Sequence, residues 1–312
     1  MIPNIAHFIW FGRDLPWIYG LALRSAAVRG GFDRVVLHSS DNIEHTAGWA
    51  LVQNLADVVN QPLRPESLIG KLDPEYGGLW PLYQKLRQPA ARANLIRAVV
   101  LALEGGVYLD TDTVTLASFS RCLNSGVFCG REHIVLPHKV MVSRNPAAWL
   151  KAGVLLAARD LMRRMREGYK TFRAVERFYA QVVNNAVLGS EPGHPFMLEL
   201  LGRMLDMPPR EQLVRFALGT HLLEKMVDDY RGEGLTLHPP RHFYPLAPEI
   251  SEHWFRIHRP CTLDDVVTPD TISVHWYASV RTKKLIPQID ESYIKRHAKE
   301  QLFSALALPF VD

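Results

Sequence analysis

The chain has 312 residues, 47% hydrophobic and 22% charged, which supplies a large α/β core and excludes a disordered chain. A formal charge of +4 is mildly basic and suits phosphorylated substrates or an anionic surface. With no finger, arginine-rich arm or aromatic–basic repeat, it does not point to nucleic acid as a partner.

Residues 5–11 are a short apolar run ended by Gly12 and predict a buried strand. A helix over 16–29 stops at Gly30-Gly31; a strand over 34–38 and a helix over 44–55 follow. This βαβα alternation predicts a parallel sheet with helices on its faces. Over 69–89, Pro74, Gly77, Gly78 and Pro81 favour a loop. The clearest helix spans 90–104, where Leu95, Val99 and Leu103 form a stripe joined by Ile96 and Val100. Gly105-Gly106 stops it, and Val107-Tyr108-Leu109 reads as a buried strand running into Asp110-Thr111-Asp112.

Further on, strands are expected around Phe128 and over 134–143. Helices are expected over 146–166, 172–184, 195–205 and 216–230, and a strand over 272–274 precedes His275-Trp276. Arg159, Arg163, Arg164 and Arg166 cluster near one helix end, as a solvated face or as a patch for a membrane or acceptor. Cys122, Cys129 and Cys261 lack metal-ligand spacing and read as free thiols. The first residues lack a secretory pattern, and the apolar stretch 147–162 is short and carries Lys151, Arg159 and Asp160. The expectation is a cytoplasmic protein, with peripheral membrane contact compatible.

Asp110 and Asp112 lie two residues apart, so in an extended chain both project to one side, at the strand end where open α/β sheets bind ligands. Two such carboxylates repel unless a proton or a cation joins them. Oxygen ligands suit magnesium or manganese, which can bridge to a diphosphate. A polar turn after a strand is the plain alternative. Leu109 to Val114, LDTDTV, also matches the opening motif of haloacid-dehalogenase-type phosphatases, with Asp110 as nucleophile and Asp112 as acid/base. Against that, about a hundred residues of α/β pattern precede it, and Asp228-Asp229 sits in a predicted helix.

Residues 91 to 112, ARANLIRAVVLALEGGVYLDTD, resemble the core signature of the DXD-motif sugar transferases. That family includes yeast-type α-mannosyltransferases, lactosylceramide α-galactosyltransferases and capsular-polysaccharide enzymes, and distantly the clostridial toxin glucosyltransferase domains. IPNIAHFIWFG (2 to 12) resembles its first strand and VHWYASV its closing element. NNAVLGSEPGHPF (184 to 196) and ALGTHLL (217 to 223) resemble the blocks between. The resemblance implies an α/β GT-A (Rossmann-like) fold, a central mostly parallel sheet flanked by helices, with an inserted helical region. It also implies a bound Mn2+ or Mg2+ and transfer with retention of anomeric configuration. Residues 1–312 would form a single domain: a nucleotide-sugar half over 1–145, a mainly helical acceptor side over 146–232, and a return to the site over 233–312.

On this resemblance Asp112 would be the principal metal ligand, Asp110 would contact the ribose or the metal through water, and His275 would be a third ligand or a diphosphate contact. Trp10 would lie beside the base, favouring a UDP-sugar over a GDP-sugar, and Trp276 would close over the donor. Arg97, one helical turn after Asn94, can grip phosphate or hold Asp110. Asn185, less so Asn184, and His221 are candidates for the acceptor or the anomeric centre. Asn94 stands where most members have Asp, and His221 replaces a proline; the first departure also admits a nucleotide-sugar-binding protein without turnover. A glycan, lipid or small-molecule acceptor fits equally.

Overall fold

Alternation along the central strands sets the layers. In β1 (Ile5–Trp10), Ala6 and Phe8 enter one core while Ile9 enters another. In β4 (Gly106–Leu109), Tyr108 joins the core of Ile9, and Val107 and Leu109 join that of Phe8. A sheet buried on both faces this way needs near-continuous apolar strands, as both have. The computed structural model describes residues 1–214, 216–258, 261–280 and 282–311.

The seven-stranded sheet has the order β3-β2-β1-β4-β7-β6-β8, with β2 at Arg34–Ser39, β3 at Val58–Pro62, β6 at Val127–Ile134, β7 at Ala180–Ser190 and β8 at Leu235–His238. The β1–β2, β2–β3, β1–β4 and β6–β8 pairs are parallel; β7 runs antiparallel to both β4 and β6. This is the expected α/β architecture with a mostly parallel sheet. A second, two-stranded sheet joins β5 (Thr113–Thr115) to β9 (Ser273–His275).

The Pro89–Glu104 helix starts on a proline, whose missing N–H costs nothing there, and is buried from Leu95 to Ala102. It ends at Gly105 with φ +66, where a side chain would also run into Pro192 and Pro3. The Trp17–Arg29 helix packs tightly on the turn at Gly48: a Cβ on Gly20 would lie 2.2 Å from the Gly48 carbonyl. The helix expected over 44–55 is only one turn, Ala47–Ala50, capped by Thr46.

Three other expectations are corrected. The strand over 134–143 stops at Ile134, and Pro137 leads into a turn of helix, His138–Met141. The helix over 172–184 ends at Val175, and residues 180–190 are the long strand β7 in the sheet's middle. Val182, Val183 and Val187 favour the extended chain there. The helix over 216–230 is confined to Leu222–Asp229, after a kinked turn at Gly219. Among the described residues no helix is long and apolar enough to cross a membrane.

Candidate active site

β4 ends at Leu109, and the Asp110 N–H donates to Ala186 O of β7 at 2.8 Å. Thr113 then closes a turn, its N–H and hydroxyl both donating to Asp110 O at 3.1 and 2.8 Å. β5 follows at once, and its antiparallel pairing with β9 sets Thr113 opposite His275. The register brings the His275 ring to Asp112, Nε2 to Oδ1 at 3.0 Å, while the Ala278 N–H donates to Asp112 Oδ2 at 2.7 Å.

Burial works against charge on both partners. It would raise the Asp112 carboxyl, but the charge and hydrogen bond of His275 and the Ala278 N–H hold it below the ordinary value. Burial would likewise lower His275, but the Asp112 carboxylate outweighs it and raises the imidazole. Each partner thus favours the other's charged form; as a metal ligand His275 would instead present a neutral imidazole.

Asp110 is held from the sheet and from the Pro89–Glu104 helix. Tyr108, two residues earlier on the same strand face, donates its hydroxyl to Asp110 Oδ1 at 2.6 Å. Arg97 lies over the Tyr108 ring at 4.2 Å, with Nη2 3.1 Å from the same oxygen. Its other donors go to the Asn185 and Ala93 carbonyls. At 6% exposure, with every nitrogen engaged, Arg97 holds Asp110 rather than offering a free fork to phosphate.

Asp110, Asp112 and His275 each offer a ligand atom, all within 4.8 Å of one another, the one such group among the described residues. Both carboxylates keep some solvent access, 26% and 15%, so an ion can reach them. The two carboxylates suit manganese or magnesium and a neutral imidazole suits manganese of the two, so the residues present fit such an ion.

The remaining expected residues divide. Half-buried Trp10 lies at the end of β1, against Tyr19 at 4.9 Å. Tyr19 feels the Asp112 charge, which with burial as the larger cause lifts its hydroxyl above the ordinary value. Asn94 and Asn185 are joined, Nδ2 of Asn185 donating to Oδ1 of Asn94 at 3.0 Å, and Gly219 packs against both. Asn184 turns elsewhere, its Oδ1 accepting from the Ala186 N–H. Trp276 does not line an open site: it is wholly buried among Tyr19, Phe255 and Phe303. His221 also faces away, pairing with His138 at 4.6 Å in a separate pocket of about 930 Å³. Asp228 and Asp229 border that pocket too, paired with Lys139 and Arg203, and not the Asp110–Asp112 group a phosphatase would need them to join.

A cleft of about 1080 Å³ has Ala91 and Asn94 on one wall, Phe216 and Leu218 on a second, and Ser279 and Lys283 on a third. Ser279 directly follows the Ala278 that binds Asp112. Sequence reasoning missed Tyr108, Ala278, Lys283 and the buried Glu132–Tyr277 contact at 2.7 Å. Only Tyr108 carried a signal, its two-residue spacing from Asp110. Tyr277 adopts φ +58, a conformation that L residues rarely keep without support from their surroundings. Burial, more than its hydrogen bonds can offset, raises the Glu132 carboxyl above its usual range.

Residues 51–128, which include both aspartates, match the family described as a glycosyltransferase sugar-binding region containing the DXD motif. The match covers a quarter of the chain, the part that carries the acidic turn. Among solved structures it is similar to the PaToxG glycosyltransferase, 15% identical at TM-score 0.46, over 72% of this chain and 69% of that one. It is also similar to apo mouse xyloside xylosyltransferase 1, 13% identical at TM-score 0.45, over 88% and 98%. The UDP-bound glycosyltransferase domain of the YGT toxin is 12% identical at TM-score 0.36, over 92% and 78%. No curated protein matches the chain.

Proposed function

We propose that this protein moves a hexosyl group from a nucleoside-diphosphate sugar to a hydroxyl acceptor, with metal dependence and retention of configuration. The observation that carries the reading is the convergence of Asp110, Asp112 and His275 at the end of a central strand. These three would hold Mn2+ or Mg2+, which when bound offsets the charge developing on the departing diphosphate. Arg97 and Tyr108 fix Asp110 and the Ala278 N–H fixes Asp112, so the carboxylates need little rearrangement as charge develops. Trp10 stacks on the base, uridine favoured, while Asn94 and Asn185 border the space for the sugar hydroxyls. The acceptor oxygen bonds to the anomeric carbon on the face the diphosphate leaves. The bond to diphosphate breaks with oxocarbenium character, and the acceptor proton passes to the departing phosphate oxygen.

The test is nucleotide release from a panel of UDP- and GDP-sugars with and without manganese, beside thermal shifts in the same mixtures. Release that needs the ion is the expected result. Stabilisation without release would leave a binding protein, phosphate release from simple phosphomonoesters would mark a phosphatase, and no response to any nucleotide sugar would remove the reading.

A further inference from the structure

The Pro146–Arg164 helix is apolar on two opposite sides. One side buries Ala152 and Met162 and rests Leu155 and Leu156 on a core. On the other, Leu150, Val154, Ala157 and Leu161 recur at helical spacing, and the three large ones are 72%, 62% and 63% exposed. Trp149 stands at the shoulder of this stripe, its indole donating to Ser143 O, and exposed Met141 and Val142 extend the apolar surface. A contiguous patch of this kind calls for a covering partner.

Charge selects the partner. The helix has one acid, Asp160, and it is bound by Arg159 and Arg163, which also reach Glu249 and Glu252. The arginine cluster read from sequence is thus partly an internal brace. Exposed Lys151 and Arg164 flank the apolar stripe, Arg144 precedes it, and no described acid pairs with any of the three. A two-fold contact between copies would set these cations near one another with only Asp160 of the helix, already held by two arginines, to meet them. A convex apolar stripe with a Trp at its edge and cations on its flanks matches a helix lying in a lipid interface.

We propose that this face seats the protein on an anionic lipid surface. Leu150, Val154 and Leu161 enter the headgroup–acyl boundary, and Arg144, Lys151 and Arg164 lie against the lipid phosphates. The test is co-sedimentation with phosphatidylcholine vesicles and with vesicles also containing phosphatidylglycerol, at low salt and at about 0.5 M salt, where exposed charges are screened. Binding is expected to the anionic vesicles and to weaken with salt. Leu150→Glu with Val154→Glu should cut it at least tenfold, and Lys151→Glu with Arg164→Glu more than fivefold, roughly fivefold per cation being the ordinary scale. Both pairs are exposed, so unchanged melting curves are expected and checked. Wild-type protein that ignores anionic vesicles, or variants that bind as well as it does, would overturn the proposal. So would a concentration-dependent dimer abolished by Leu150→Glu, which would give the face to a second copy. Nucleotide release measured without vesicles should be the same in every variant, so a failure here leaves the proposed reaction standing, and the reverse.

Discussion

His7 and His38 stack inside the parallel β1–β2 pair, ring centroids 5.3 Å apart and Nδ1 of one 3.0 Å from Nε2 of the other. Burial, then the charges of His38 and Arg34, push His7 down to about 3, while burial and Arg34 bring His38 to about 4. Both therefore stay neutral. Past the end of β4 the treatment is opposite: Asp112 and His275 each favour the other's charged form, and buried Arg97 is matched by Asp110. Within the sheet a polar ring is tolerated by discarding its proton. At the strand ends charge is kept and balanced by a partner within reach.

That contrast can be broken at its strongest point. Asp110→Ala strands the Arg97 guanidinium in a buried place, and urea unfolding should show a loss of about 3–5 kcal/mol. Replacing both, Arg97→Met with Asp110→Leu, should recover much of that stability with no turnover. Full stability in the single variant would mean that Arg97 is not balanced by Asp110. Asp112→Asn should fold, yet lose roughly 100- to 1000-fold in manganese-dependent nucleotide release. Retained turnover there would end the catalytic half of the comparison.

The neutral pair makes a pH prediction. Unfolded histidine titrates near 6.5 and His38 in the fold near 4, so between these values the unfolded chain binds more protons and stability falls as pH drops. His38→Gln removes the difference, and by pH 5 it should suppress roughly 2 kcal/mol of the acid-induced loss. A variant with the wild-type acid slope would show that His38 is protonated in the fold. The smallest effect belongs to Tyr108→Phe, which deletes one donor to Asp110 and should cost roughly 1.5 kcal/mol in denaturant melts.

Legibility in the sequence followed the range of the interactions. The opening strands and the 89–104 helix depend on local periodicity and glycine stops, and residues 90–109 read as they fold, whereas Asp110 to Asp112 form a turn and not the extended run expected. β7 was hidden because its pairing with β4 and β6, more than local preference, makes it a strand, and AQVVNNAVLGS carries mixed signals. His275 was reached only through the family resemblance, as a ligand beside Asp112, since 163 residues separate the two and no local pattern joins them. Trp276 shows the reverse failure: a conspicuous residue type whose place in a core depends on packing that no motif records. Tyr277 and Glu132 gave no pattern, because only burial makes them matter.

The two-stranded β5–β9 ribbon has a consequence for how the molecule comes into being. A growing polypeptide leaves the ribosome with its aspartates already made, yet Asp112 must wait through most of the translation that follows before its imidazole and backbone clasp arrive. Until that late stretch folds back, Asp112 has neither clasp, so an abandoned or clipped product would carry an unheld carboxylate at the end of β4.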